Sequence, residues 1–481
     1  MKSLRAWVFV AALAGAGCAG LPARPKPVQL PNAAPLDGLD AAGGGEWPAR
    51  EWWQRYQDPT LDRLIEMALD SSPTLATAHA RYDAARQSVR IAGAAAGARV
   101  EASADVDRQR LSDNGLIPPQ LLGFNWYNQA DLGLQASYTF DWWGKQRSAV
   151  DAALDQAHAA QAERSAAALM LSSSVADTYF GWQADQARIA LARARAATVE
   201  QRGAIATARV KADLDSAETL NSAALELAAA REQLAALQGS AQLRVVALAA
   251  LVGRSIAQLP PLQARALPAP PGSLPDDVKI DLISRRADIT ASRWRVEAAE
   301  QDVNTARAEF FPDVSVNALL GLSSIDVGKL IEYGSRVPQA SVAIHLPIFD
   351  AGRLKAGYGA RQAALDAAVA GYQDTLVNAA RDVAAQASTR AQIAAQRTQR
   401  AVEVDAAGRL ESSAAARVRQ GLTDPRAELA AAQSLIEQRD ALLQLDSAAL
   451  SADIALQRAL GGGYENPQKF ANSSSTSKTS P

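Results

Sequence analysis

The sequence is nearly free of cysteine, since Cys18 is the only one in 481 residues. A single cysteine excludes an internal disulfide framework and a cysteine metal cluster. The three histidines (His79, His158 and His345) are widely scattered, so they predict no metal site. Aromatic side chains form only 5% of the chain, which makes the places where they gather informative.

An excess of charge of either sign is also absent. Lys and Arg number 49, Asp and Glu number 51, and the net charge is −2. This balance argues against nucleic acid or another polyanion as a partner. The sequence also lacks a phosphate-binding loop, a nucleophile elbow and metal-ligand spacing. We therefore expect neither an enzyme nor a bound cofactor, and we predict no catalytic residue.

The N-terminus has the features of an export signal. Lys2 and Arg5 precede an apolar run over 6–17 that is too short to span a bilayer. Residues 1–17 are therefore predicted to be a signal peptide. Small residues end this run directly before Cys18, which resembles a bacterial lipobox and predicts acylation of that cysteine. Cleavage nearby by an ordinary signal peptidase is the alternative.

The body of the chain is a duplication. The stretch "FDWWGKQRSA" at 140–149 corresponds to "IFDAGRLKAG" at 348–357, at an offset of about 208 residues. The two copies are predicted over 58–260 and 275–464. The remaining segments are an extended leader over 18–57, a Pro-rich linker over 261–274 and a disordered polar tail over 465–481.

Each copy is predicted to contain a very long helix. The runs over 145–212 and 353–420 are rich in good helix formers and contain no proline. About 68 residues at 1.5 Å each extend roughly 100 Å, which a compact domain of this size does not need. The shorter predicted helices cover 73–96 and 216–252 in the first copy, and 288–309 and 426–460 in the second.

Four predicted strands alternate apolar and polar residues. They cover 99–108, 130–141, 313–322 and 338–349. In the first strand, Val100, Ala102, Ala104 and Val106 point to one face, and acidic or hydroxyl residues point to the other. This pattern fits a half-buried soluble sheet and also fits barrel strands in a membrane. The scarce aromatics gather at the strand ends, as Trp142, Trp143, Phe310, Phe311 and Phe349 do, which is typical of membrane interfaces.

The number of strands limits how they can cross a membrane. An open sheet of four strands cannot span lipid, because every backbone polar group must be paired there. The smallest single-chain barrels need about eight strands. If these strands span a membrane, several chains must share one barrel, and a trimer would supply about twelve strands.

The chain resembles an outer-membrane efflux channel of the TolC type, in the lipoprotein branch around OprM and NodT. The resemblance covers nearly the whole mature chain in order. It is carried by the Cys18 signal, "EWWQRYQDPTLDRLIEMAL" (51–69), "SRRADI" (284–289), "PIFDAGRLKA" (347–356), "RVRQGLTDPRAELAAAQ" (417–433) and "ALGGGY" (459–464).

The resemblance implies a mainly α fold with a membrane β-barrel, built as a homotrimer. A 12-stranded barrel in the outer membrane of a Gram-negative bacterium would continue into an α-helical periplasmic tunnel. Expected partners are outer-membrane lipid, a periplasmic adaptor protein and an inner-membrane RND pump. The cargo would be small toxic molecules such as drugs, and an acyl chain such as palmitate would anchor Cys18.

The resemblance also implies that the breaks between the long and following helices are periplasmic tips, at about 212–216 and 420–425. Gly421, Leu422 and Thr423 match the part of the tip that meets the adaptor. Gly421 can end its helix at positive φ, and Asp424 can cap the next helix. In the first tip, Ser216 is the predicted cap.

Charged residues at these tips are the predicted gate. Related channels are held closed by acidic rings and by Arg–Asp contacts. The candidates here are Asp213, Asp215, Asp424, Arg209, Arg417 and Arg419. The alternative is that each is an ordinary solvated charge at a helix end.

Two other functions fit part of the sequence. The exit duct of a type I protein-secretion system would share the channel features. A lipid-anchored coiled-coil scaffold of the envelope would explain the long helices and Cys18. It would leave the alternating strands and the duplicated tips unexplained, so we favour the efflux channel.

Overall fold

The computed structural model describes residues 28–31, 46–114, 119–270 and 285–465. The predicted signal peptide, Cys18 and the predicted tail from 466 onward lie outside the described residues. The chain divides into two compact units, and each draws on both predicted copies. Among the described residues, the sheet unit comprises 28–30, 83–114, 119–159 and 293–371. The helical unit comprises 31, 46–82, 160–270, 285–292 and 372–465.

Helices dominate the described residues, as the abundance of Ala, Leu, Gln, Glu and Arg predicts. The two long helices have 67 residues each and contain no proline that would break them. The helices are α1 (Pro59–Ser71), α2 (Pro73–Ala95), α3 (Pro119–Leu122), α4 (Lys145–Lys211), α5 (Ala217–Val252), α6 (Ala287–Ala308), α7 (Arg353–Arg419) and α8 (Pro425–Ala459).

The strands form one antiparallel sheet in the order β1-β2-β3-β4. They are β1 (Arg99–Arg110), β2 (Trp126–Phe140), β3 (Asp313–Ser324) and β4 (Arg336–His345). The prediction that the last strand reaches 349 is wrong, because β4 ends at His345. Pro347 has no N–H to donate to a neighbouring strand, so pairing stops before it.

The register collects the apolar residues of all four strands on one face. Ala102 pairs with Leu134, which pairs with Leu320, and the rungs on either side repeat the pattern. The opposite face carries mostly polar residues such as Gln135, although Leu319 interrupts it. The apolar face is open, and Leu320 remains 68% exposed. An open apolar face of this kind requires a covering, and the described residues do not supply it.

Aromatic residues mark the end of the sheet where the helices join. Trp143 stacks on Phe311 with ring centroids 4.6 Å apart, and its indole N–H donates to the carbonyl of Pro312 at 3.0 Å. Phe140 and Trp142 stack at 5.5 Å. These pairs fix the junction between the strands and the helices that follow.

The core of the helical unit includes part of the predicted leader. Trp52, Trp53 and Tyr56 are buried against helices of both copies, so the end of the segment predicted over 18–57 belongs to the core. Three large aromatic side chains supply enough apolar area to hold this segment in place. The Tyr56 hydroxyl also donates to the fully buried carboxylate of Asp453 at 2.7 Å.

Polar groups fix the entry to α1 and the linker after α5. Asp58 caps α1 by accepting from the next helical N–H groups, and it also accepts from the Tyr179 hydroxyl at 2.8 Å. Burial and this bond raise the pKa of Tyr179 to about 12. Gln183 donates to the carbonyl of Gln263 and accepts from the N–H of Arg265. The linker is thereby held in an extended conformation.

Candidate functional site at the two helix tips

The first tip is a short turn between α4 and α5. Asp213 has a left-handed backbone, with φ of 54°, and its N–H donates to the carbonyl of Val210 at 3.1 Å. The N–H of Leu214 donates to the carbonyl of Arg209 at 2.9 Å. This pair of bonds is the Schellman motif, which satisfies the last carbonyls of a helix.

The second tip, between α7 and α8, has the same backbone. Gly421 has φ of 70°, and its N–H donates to the carbonyl of Val418 at 2.9 Å. The N–H of Leu422 donates to the carbonyl of Arg417 at 2.9 Å. The missing glycine of the first copy therefore does not change the turn, because aspartate is one of the residues that tolerates the left-handed region.

The two following helices begin differently. Asp424 caps α8 by accepting from the N–H of Arg426 at 2.8 Å, and Pro425 is the first helical residue. Ser216 occupies the corresponding position before α5, but its side chain makes no capping bond. The prediction of a serine cap is therefore wrong. The N–H of Thr219 bonds instead to the backbone carbonyl of Ser216.

Four charged side chains join the two tips within one chain. Arg209 donates to both carboxylate oxygens of Asp215, at 2.8 and 3.2 Å, and Arg426 lies 2.8 Å from Asp424. The cross contacts are longer: Arg426 is 3.6 Å from Asp215, and Arg209 is 4.0 Å from Asp424. We call this set the tip clasp. Its charges alternate in sign, so every neighbour attracts.

The clasp lowers the pKa of both carboxyl groups. The hydrogen bond from Arg209 holds the pKa of Asp215 below its ordinary value of 3.8. The bond from the Arg426 side chain does the same for the pKa of Asp424. A carboxyl with a depressed folded pKa stabilises the fold above its ordinary pKa and loses that effect as the pH falls through the lowered value. The clasp is therefore intact at neutral and mildly acidic pH.

The other predicted gate residues lie outside the clasp. Arg417 donates to the hydroxyl of Ser413 at 3.3 Å. Among the residues that the structure describes, no ion pair involves Asp213 or Arg419. Arg426 was missed by the sequence reasoning. Its nearest partner, Asp424, is only two positions away and was a signal that could have found it, whereas its contact with Asp215 joins positions more than two hundred apart.

The leucine after each left-handed residue points into solvent. Leu214 is 63% exposed and Leu422 is 70% exposed. Leu422 and its neighbours Gly421 and Thr423 were predicted as a contact surface, whereas Leu214 was not. The duplication offset, which aligns Leu214 with Leu422, was the signal that would have found it.

Above the clasp, an arginine recurs at every seventh residue of α4. Seven residues are close to two helical turns, so these side chains lie along one side of the helix. This arginine ladder consists of Arg188, Arg195, Arg202 and Arg209. The repeat is visible in the sequence, although its partners are not.

The ladder faces polar groups of α5 and α8. Arg188 forms two bonds with Asp440, at 2.8 and 3.2 Å. Arg202 donates to Gln433 at 2.6 Å and lies 3.0 Å from Glu226. An apolar cluster that includes Trp182 and Leu237 also packs α4 on α5. The first hairpin, α4 and α5, is thus held by an apolar core, and the arginine ladder joins α4 to α8 through polar bonds.

Comparison with known proteins identifies the class. The family model for outer membrane efflux proteins matches residues 64–254 and 281–462. The chain belongs to this family. The double match follows the duplication.

Individual relatives agree along nearly the full length. The multidrug resistance outer membrane protein MdtP of Escherichia coli K12 is 32% identical over 447 residues, covering 92% of this chain and 91% of that protein. MdtQ of Escherichia coli O6:H1, also named a multidrug resistance outer membrane protein, is 32% identical over 467 residues, covering 94% of this chain and 96% of that protein. The crystal structure of the outer membrane protein VceC from Vibrio cholerae superposes with a TM-score of 0.77 at 34% identity, covering 87% of this chain and all of that one.

Proposed function

We propose that three copies of this chain form the outer-membrane duct of a tripartite efflux pump, which exports small toxic molecules such as drugs. The four-stranded sheet with two open edges and one apolar face is the observation that supports this most directly. The relatives named for multidrug resistance support the cargo class.

The sheet edges argue for a shared barrel. In lipid, the free N–H and C=O groups of an edge strand must find partners, and only closure of the sheet supplies them. β1 and β4 are the two edges, so β4 of one copy would pair with β1 of the next. Three copies of a four-stranded sheet give the twelve strands of the proposed barrel.

Exposed apolar residues on the helices also favour association. Leu225 and Leu243 of α5 are each at least 70% exposed. By length and composition, α5 is the one helix in the described ranges that could cross a membrane. In the proposed trimer, neighbouring copies cover this helix in a common tunnel wall.

The tip clasp is the proposed gate. Its four charged groups hold the tips of both helical hairpins of one chain together. Three copies of the clasp would surround the end of the tunnel. Asp215, Asp424 and Arg209 come from the predicted gate set, and Arg426 is added by geometry. The charged side chains around the tunnel end would also include Asp213, Arg417 and Arg419.

The exposed tip leucines are the proposed contact with a periplasmic adaptor. Leu214 and Leu422 stand on identical turns, so each trimer would present six equivalent apolar points. Gly421 and Thr423 shape the second of these contacts. The adaptor would in turn connect the duct to an inner-membrane RND pump, and acylated Cys18 would add an anchor in the outer membrane.

A pair of adjacent leucines tests the membrane face. Leu320 lies on the open apolar face of β3, and Leu319 lies on the opposite face beside Gln135. Arginine on a lipid-facing strand costs about 2–4 kcal/mol near the midplane, whereas a lumen position tolerates it. We expect Leu320→Arg to reduce the amount of heat-modifiable trimer in outer-membrane extracts, and Leu319→Arg to retain it.

Efflux is tested in the bacterial strains that produce these two variants. Cells that lack the protein should become more susceptible to several unrelated toxic compounds, and Leu319→Arg should restore resistance where Leu320→Arg does not. Equal trimer yields from both variants would contradict the barrel. A monomer removed by carbonate would favour the envelope scaffold, and loss of a secreted protein with unchanged susceptibility would favour a secretion duct.

A further inference from the structure

The open apolar face of the sheet ends in arginines at one end only. We define the loop end as the end where β1 joins β2 and β3 joins β4, away from the helix junctions. The last two residues of β1 on this face are Arg108 and Arg110, and the first residue of β4 on it is Arg336. We call these three residues the arginine rim.

Aromatic rings accompany the rim. The guanidinium of Arg108 lies 5.6 Å from the ring centre of Trp126, which begins β2 on the same face. The guanidinium of Arg336 lies 4.4 Å from the ring centre of Tyr333, and Tyr333 is 81% exposed. A ring beneath an arginine orients the guanidinium while its N–H groups remain available to other acceptors.

The acidic groups of the loops leave most of the rim's charge uncompensated. Asp113 lies 3.3 Å from Arg110, in a pair that is more than half exposed. Asp326 accepts from the N–H of Gly328 at 3.0 Å and so stabilises its own turn. In the described ranges, Arg108 and Arg336 contact rings and no carboxylate.

The helix end of the same face has a different composition. Its last apolar-face residues are Phe140 of β2, Val314 of β3 and Ile344 of β4. Aromatic and aliphatic groups suit the uncharged boundary of the hydrocarbon layer. On the apolar face, the arginine rim is therefore a feature of the loop end of the sheet and not of the helix end.

The strand register determines which residues of the two edge strands, β1 and β4, lie at the same height. Arg336 pairs with Leu322, which pairs with Leu132, which pairs with Ala104, four residues short of Arg108. Barrel strands tilt by about 35–45°, which moves positions of equal height by about one residue for each strand crossed. Across three strand spacings this shift is about three to four residues. Arg336 and Arg108 therefore lie at similar heights, and Arg110 follows two residues later on β1.

Closure of the proposed barrel would combine the rim across subunits. Because β4 of one copy pairs with β1 of the next, Arg336 would lie beside Arg108 and Arg110 of the partner subunit. Each of the three junctions would then carry three guanidinium groups and two aromatic rings on the lipid-facing surface.

We infer that the arginine rim binds the phosphate groups of a phosphorylated glycolipid in the outer leaflet of the outer membrane. This inference rests on the proposed trimeric barrel. Guanidinium groups match phosphate oxygens with paired N–H donors, and the rings suit the headgroup layer. The apolar face below the rim would contact the acyl chains of the same lipid.

The experiment uses native mass spectrometry of the full-length trimer in detergent, with diphosphoryl lipid A as the probe. We expect retention of up to three lipid A molecules per trimer. Triple substitution of Arg108, Arg110 and Arg336 by Gln should weaken that binding at least about tenfold, because each guanidinium charge adds to the attraction for an anionic lipid. The triple Lys variant should retain most of it.

The control removes three exposed arginines outside the sheet, Arg63, Arg231 and Arg409, by the same change to Gln. It should bind lipid A like the unmodified protein. The inference is overturned if the rim variant remains a heat-modifiable trimer and binds lipid A normally, or if phosphatidylethanolamine binds as well as lipid A. A protein that never forms a trimer would instead overturn the proposed function.

Discussion

The two tips of the chain have the same backbone and different chemistry. Asp213 and Gly421 both adopt the left-handed conformation, and the same pair of backbone bonds closes each turn. Arg209 and Arg417 are equivalent by the duplication offset, yet only Arg209 has an acidic partner in its own turn. That partner, Asp215, corresponds to Thr423 in the second tip.

This difference shows how a duplicated turn acquires two roles. The turn itself depends on one left-handed residue and on backbone bonds, so its side chains are free to diverge. The first tip supplies Arg209 and Asp215 to the clasp, and the second supplies Asp424 and Arg426 from its helix start. Neither tip alone carries the alternating set.

We expect the largest effect on conductance when each clasp carboxylate is replaced by the residue at the equivalent position of the other tip. Asp215→Thr gives the first tip the residue of the second, and Asp424→Ser gives the second tip the residue of the first. With both carboxylates removed, Arg209 and Arg426 repel each other. We expect a severalfold rise in single-channel conductance in planar bilayers, with the trimer retained.

Two exposed acidic residues of α5 provide the matched control. Glu218→Gln with Glu232→Gln removes the same charge from positions outside both the clasp and the predicted gate set. Its conductance should equal that of the unmodified channel. A clasp variant that conducts no better than this control would show that the clasp does not hold the tunnel closed.

The next effect concerns the feature that the tips share. Leu214→Asp and Leu422→Asp place a charge where each turn presents an apolar side chain. Each should weaken copurification of the adaptor, and the double variant should lose most of the resistance while the trimer persists. Leu422→Met keeps an apolar side chain and should behave like the unmodified protein. Full resistance in the double Asp variant would exclude the leucines as the contact.

The smallest effect separates the two left-handed residues. No atom lies within 4 Å of a Cβ added at Gly421, so the cost of Gly421→Ala is conformational, about 1–2 kcal/mol. Asp213→Gly should stabilise the first tip by up to about 1 kcal/mol for the same reason. Hydrogen exchange of the tip amides would measure both changes.

Gly203, inside α4, gives the control for that measurement. Gly203→Ala should stabilise the helix by about 1 kcal/mol, because glycine is unfavourable in a helix interior. The same substitution therefore has opposite signs at Gly203 and Gly421. Destabilisation at both positions would contradict the backbone explanation.

Much of the fold could be predicted from periodicity. The long helices differ from prediction by one residue at their C-terminal ends, since Ala-rich runs without proline leave little choice. The polar and apolar faces of the sheet also follow from alternation. Burial of Trp52 and Trp53 could not be predicted, because their partners lie on helices far away in the sequence.

The candidate site was predictable only in outline. Residue types at the tips indicated charge, but the choice among six candidates depends on distances between two hairpins. Arg426 and the clasp required the structure, as did the failure of Ser216 to cap. The left-handed Asp213 shows why a missing glycine is weak evidence that a turn has changed.

All four charges of the tip clasp belong to one polypeptide. A protomer can therefore latch its two hairpins before it meets any other protomer, and assembly need not create the lock. In the proposed trimer, three latches would act side by side, and a mixed assembly would contain none, one, two or three broken ones. Mutant and normal copies expressed together would then produce channels with a series of intermediate conductances in the closed state. The genetic phenotype would be partially dominant.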